Sequence, residues 1–169
     1  MGMWRLGGSL VTLAAVALVL SACGSPYVNI PSQTGDVASS NPNTREVREV
    51  QIQALATVME REELAGPVRI ELPPGSDGLS YAAVASRLGE DVITPADDDV
   101  EAATTLGVEQ IRIRGWDAEV DVLKPSTGGV QQIVTVYLRR APTAGWTVER
   151  TRTWRGPATA AERRQGEDM

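Results

Sequence analysis

Apolar positions change their spacing several times along this chain, and each change marks an element. From Asn43 onward, Val47, Val50, Ala54, Leu55, Val58 and Met59 recur at intervals of three and four, the stripe of an amphipathic helix. Asn43 with Glu46 three residues later fits an N-cap and its capping-box partner, so the pattern predicts a helix over 44–64. Gly66-Pro67 stops it. Val68, Ile70 and Leu72 then alternate with Arg69 and Glu71 up to Pro73-Pro74-Gly75, which reads as a short strand with one wet face. Asp77 can cap a second helix, in which Tyr81, Val84, Ala85 and Leu88 share a face before Gly89 ends it. Residues 90–101 hold six acids and no base, as expected of an exposed loop.

The last third alternates with period two. Ile111 and Ile113 share one parity, whereas Trp116, Ala118, Val120 and Val122 share the other, so the pattern predicts a bulge at Gly115 inside one long strand. Pro125 to Gly129 turns the chain into a strand over 130–140, and Ala141 to Gly145 turns it again into 146–155. The pairing that best aligns the apolar faces sets Trp116 opposite Leu138, Ala118 opposite Val136 and Val120 opposite Val134. In the second hairpin it sets Leu138 opposite Val148, Val136 opposite Arg150 and Val134 opposite Arg152. Arg150 and Arg152 then land on the inner face.

Helix, strand, helix and three long strands predict an α+β domain. One long N-terminal helix and a shorter helix would pack on a curved antiparallel sheet that ends in a three-stranded meander. This order, with Val134-Thr135-Val136-Tyr137-Leu138-Arg139-Arg140 leading to Gly145-Trp146-Thr147-Val148, resembles the cone-shaped nuclear-transport-factor-like and cystatin-like folds over about 45–155. The resemblance implies either enzymes or plain binding modules, so it does not choose a function. Enzymatic members often place a His and an Asp in the cone, and this chain has no histidine.

At the N-terminus Arg5 precedes Leu10 to Leu20, an apolar run of 11 residues. As a helix it would reach about 16 Å, short of the roughly 30 Å hydrocarbon core, so it reads as a signal peptide over 1–22 and not as a membrane span. The run ends in Leu20-Ser21-Ala22-Cys23, which resembles the lipobox of bacterial lipoproteins at all four positions. The resemblance implies cleavage before Cys23, lipidation of its thiol and an extracytoplasmic, membrane-anchored protein, periplasmic or at the cell surface. Residues 23–44, rich in Ser, Pro, Asn, Gly and Gln, read as a flexible tether with a root-mean-square span of about 25 Å. The domain occupies 45–155, and 156–169 form a polar tail.

Composition removes much of the remaining chemistry. Without histidine there is no imidazole base, triad or imidazole metal ligand, and one cysteine excludes internal disulfides and thiolate zinc sites. No cofactor motif occurs, no inward pair of acids suggests hydrolysis by carboxylates, and Asp97-Asp98-Asp99 lacks the spacing of a calcium loop. The chain carries a net charge of -6, unevenly placed: residues 24–109 have 15 acids and 5 bases, whereas 110–169 have 7 acids and 10 bases. No nucleic-acid motif accompanies those bases, so no nucleic-acid partner is expected. Arg150 and Arg152, with Trp116 and Trp154, form the sharpest candidate, a mouth for a small anionic ligand. The reading as a whole is a non-catalytic envelope interaction or scaffold module, with anionic-ligand binding on the concave sheet face as the alternative. Its partners would be the membrane and an envelope protein or anion.

Overall fold

The computed structural model describes residues 27–32, 38–64, 66–97, 104–126 and 131–154. Within them the order is β1 (Tyr27–Ile30), α1 (Arg45–Arg61), β2 (Val68–Glu71), α2 (Gly78–Leu88), β3 (Val92–Ile93), β4 (Thr104–Arg114), β5 (Asp117–Pro125), β6 (Gln131–Ala141) and β7 (Gly145–Thr153). The signal segment, Cys23 and the 156–169 tail lie outside the described residues. No described helix is long and apolar enough to cross a membrane.

Each helix starts on a side-chain oxygen. Thr44, not Asn43, caps α1 by accepting from the Val47 amide at 3.3 Å. Asn43 instead ties the two helix starts together. Its Oδ1 accepts from the Asp77 amide and the Ser80 hydroxyl, both at 2.9 Å, and its Nδ2 donates to the Gly75 carbonyl. Asp77 caps α2. Helix α1 ends before the expected residue 64 because Glu63 turns left-handed at φ 48°, which lets the Glu63 amide reach the Glu60 carbonyl and the Leu64 amide reach that of Met59. These are the two closing bonds of a Schellman motif.

The seven strands form one sheet in the order β3-β2-β4-β5-β6-β7, with β1 on β4. The long strand β4 divides one edge between two partners: β2 runs parallel to 104–107, and β1 runs antiparallel to 111–114. A bulge between Val108 and Gln110 separates the two stretches and keeps Val108 and Ile111 on the same face despite their opposite parity. The parity change near Gly115 has a different origin from the predicted bulge. Gly115 and Trp116 are a two-residue hairpin turn joining β4 to β5, and Gly115 sits at φ +66°, the left-handed value such a turn takes at glycine.

These findings correct the expected fold class. The described residues are 46% strand and 25% helix, the helices are 17 and 11 residues long, and no long N-terminal helix occurs among them. The sheet is mixed, because β2 runs parallel to both β3 and β4. Part of the expected tether over 23–44 is instead built into the domain. Tyr27–Ile30 adds a strand to the sheet, with Val28 and Ile30 almost wholly buried.

One face of the sheet carries the core. Leu106, Ile111, Ile113, Val120, Val122, Val134 and Val136 share one cluster with Val47, Val50, Ala54, Leu55 and Val58 of α1, and all are fully buried. Both ends of α1 are fastened to the sheet. Arg140 of β6 holds Glu46 at 2.8 Å near the helix start, while Lys124 of β5 meets Glu62 and Arg61 reaches Thr151 of β7 at its other end.

Candidate functional site

The face of the sheet turned away from α1 carries polar side chains in rows set by strand register. Gln110, Asp121, Thr135 and Arg152 are successive partners across β4 to β7, and Asn29, Arg112, Glu119, Tyr137 and Arg150 form the next row, beginning at β1. A third row runs Tyr27, Arg114, Asp117, Arg139.

The first three members of the first row are buried although their side chains are polar: Gln110, Asp121 and Thr135 are each 2% exposed or less. A hydrogen-bond chain accounts for this. The Trp154 indole Nε1 donates to Thr135 Oγ1 at 2.9 Å, and the Thr135 hydroxyl in turn donates to Asp121 Oδ1 at 2.5 Å. The other Asp121 oxygen lies 3.6 Å from Arg112 Nη2, which also holds Glu119 Oε2 at 2.8 Å. Beside this chain Gln110 donates to Asn29 Oδ1 at 3.2 Å. Charge alternates along it, as a buried carboxylate requires.

Next to the chain two arginines lie flat on aromatic rings. The Arg150 guanidinium is 4.0 Å from the Tyr137 ring centre, and that of Arg152 is 3.8 Å from Trp154. Both arginines are exposed. Stacking leaves the in-plane N–H groups of a guanidinium directed outward, where they can donate to a carboxylate, phosphate or sulfate.

Three of the four expected ligand residues thus meet, but on the other face. Arg150, Arg152 and Trp154 lie opposite α1, because a bulge in β7 shifts the register: Leu138 faces Val148, whereas Tyr137 faces Arg150 and Thr135 faces Arg152. That one-residue slip reverses every side chain beyond it. Trp116 is not with them. It occupies the β4–β5 turn, 52% exposed, while Ala118 rather than Trp116 faces Leu138. Asp117, Glu119 and Asp121 alternate along β5 on this outer face, but Asp121 is buried. Sequence reasoning missed Asn29, Gln110, Arg112, Asp121 and Thr135; the one available signal was Asp121 opposite Thr135, visible only once the first hairpin is paired two residues away from the expected register.

Concavities lie around this framework. A depression of about 180 Å³ between Arg112, Arg114, Asp117 and Glu119 adjoins the β4–β5 turn. A cleft of about 400 Å³ at the start of α1 is lined by Arg45, Glu49, Ile52, Arg87, Arg140 and Trp146. Among the described residues no group of three or more acids, histidines or cysteines is arranged to hold a metal ion. In the expected acidic loop, Asp97 lies within the described residues and 98–103 outside them. Its carboxylate accepts from the Thr94 amide and hydroxyl at 2.8 and 2.9 Å, which holds its pKa below the usual carboxylate value, the amide contributing most. No family model, curated protein or solved structure matches the chain.

Proposed function

We propose that this chain is a lipid-anchored extracytoplasmic protein, periplasmic or at the cell surface, whose domain is a non-catalytic interaction or scaffold module of the envelope. The anchor rests on Leu20-Ser21-Ala22-Cys23 behind a short apolar run. The module reading is supported above all by the covering of one sheet face: Val47, Val50, Ala54, Leu55 and Val58 of α1 are fully buried against the sheet, so the helix fills the space a ligand cone would need. What the domain offers a partner is therefore its outer sheet face and its ends. Detergent phase separation of exported wild type and Cys23→Ala tests the anchor; the wild type should enter the detergent phase and the variant should not. Crosslinking in the intact envelope followed by mass spectrometry should return a discrete partner, and equal membrane retention of both proteins would refute the anchor.

A second reading, anion binding, is favoured by one observation: Arg150 and Arg152 stack on Tyr137 and Trp154 on the exposed sheet face. Charge-assisted hydrogen bonds from two such groups would stabilise a complex by roughly 1.5 to 3 kcal/mol each. A ligand that binds only the folded state raises the melting midpoint by mass action. Phosphate, carboxylate and sulfated-sugar panels should then shift wild type but not the equally folded double variant Arg150→Gln/Arg152→Gln. A wild type that no anion shifts removes this reading.

A further inference from the structure

The anchored cysteine and the first strand are close in sequence, and that places one end of the domain against the bilayer. Only residues 24–26 separate Cys23 from Tyr27, the first residue of β1. Four extended residue steps span at most about 14 Å. Tyr27 pairs with Arg114, whose guanidinium lies 5.4 Å over the Tyr27 ring, and the next two residues are the Gly115-Trp116 turn. Adjacent strands lie about 4.8 Å apart, so this turn is a near neighbour of the strand that leads to the lipid.

The chemistry of this end suits an interface. Trp116 projects from the turn with half its surface exposed, and tryptophan is the side chain that settles best at the boundary between headgroups and acyl chains. Antiparallel pairing brings the β6–β7 turn, Pro142-Thr143-Ala144, to the same end, together with Arg139, Arg140 and the start of α1. Arg114 and Arg139 flank the β4–β5 turn and are exposed, with exposed Asp117 beside the turn and Glu149 3.7 Å from Arg139, so charges of both signs meet at this end. The opposite end, where Lys124 meets Glu62, lies about 30 Å away along nine-residue strands.

We propose that the Arg114-Gly115-Trp116 turn seats in the interfacial zone of the membrane that holds the anchor, so that the domain stands on this end with its strands rising from the bilayer. The proposal rests on the lipid-anchor reading of Cys23. It replaces a domain swinging on a 22-residue leash with one held upright, its outer sheet face running from the lipid surface outward.

The test uses the mature lipidated protein in vesicles of phosphatidylcholine and phosphatidylglycerol whose acyl chains carry bromine near the headgroup. Bromine quenches indole only on close approach. Trp146 is buried under the helix side of the sheet and Trp154 belongs to the strand end away from the turn, so the quenchable emission should come from Trp116. Wild type should be quenched, and Trp116→Ala, with an unchanged melt, should lose the larger part of that quenching. The intact mass of the same sample reports whether Cys23 carries acyl chains. Acylated protein with equal quenching in wild type and variant overturns the standing orientation while the anchor survives; protein without acyl chains overturns both.

Discussion

Replacing Leu55 by Ala measures how firmly α1 covers the inner face of the sheet. Leu55 is fully buried and belongs to the same cluster as the inward residues of β4, β5 and β6. The change removes three carbon atoms, about 2.4 kcal/mol of transfer free energy at roughly 0.8 kcal/mol per methylene. A cavity term follows, because α1 is fastened by Arg140–Glu46 at one end and by Lys124–Glu62 at the other and cannot sink freely into the gap. Together they predict a loss of about 3 to 5 kcal/mol, the upper part of the range for buried leucines. For a domain of this size that lowers the melting midpoint by about 10 to 20 °C. Urea unfolding followed by circular dichroism gives the free energy directly. Leu79→Ala on α2, where the side chain is 79% exposed, should change it by less than about 0.5 kcal/mol. A Leu55→Ala cost below about 1 kcal/mol would refute the reasoning, since the helix would then rest loosely on the sheet and leave its inner face open to ligands.

Two further outcomes follow from the polar contacts. Asp121→Asn keeps an oxygen for the Thr135 hydroxyl but removes the charge facing Arg112, so it should cost less than Asp121→Ala, which also strands Thr135; a loss of about 1.5 to 3 kcal/mol is expected for Ala in urea unfolding, and equal costs would mean the hydrogen bond contributes nothing. At the start of α2, the Ser80 amide, 2.7 Å from Asp77 Oδ1, holds the Asp77 carboxyl below its ordinary 3.8. A carboxyl whose folded pKa is depressed stabilises the fold above its unfolded pKa and loses that contribution as pH falls through the folded one. Asp77→Ala should therefore melt below wild type at neutral pH, with the gap closing below pH 3.8; a gap constant down to acid pH would exclude the carboxylate as its source.

The legible parts of this fold were those written in local period. Ala118, Val120 and Val122 against Val134, Val136 and Leu138 alternate cleanly, and both stripes face the core. The β4–β5 turn was misread because a two-residue turn and a bulge leave the same trace in the pattern, an inversion of parity between Ile113 and Trp116. The β7 bulge left no trace, since Val148-Glu149-Arg150 contains neither glycine nor a change of composition, and it alone carried Arg150 and Arg152 to the outer face. Strand β1 was hidden in a Ser- and Pro-rich segment, and the parallel pairing of β2 with β4 joins residues with no turn between them to signal it. The buried chain Trp154–Thr135–Asp121 was illegible for a related reason: its members are polar, and burial comes from strands that meet only in the finished sheet.

The divided edge of β4 also sets an order of assembly. Strands β4 to β7 are joined by short turns and can zip up from neighbours in sequence, whereas β1 must find Ile111–Arg114 from the far end of the chain. Until it does, the Ile111–Arg114 stretch of that edge stands open. The seam so closed is four residue pairs long, against nine between β5 and β6, and it should part before the β5–β6 seam in the folded protein. Hydrogen exchange would register this as Tyr27–Ile30 amides trading protons well before those of β5 and β6. With the anchor proposed at Cys23, a pull between membrane and domain would load this four-pair seam before the nine-pair one.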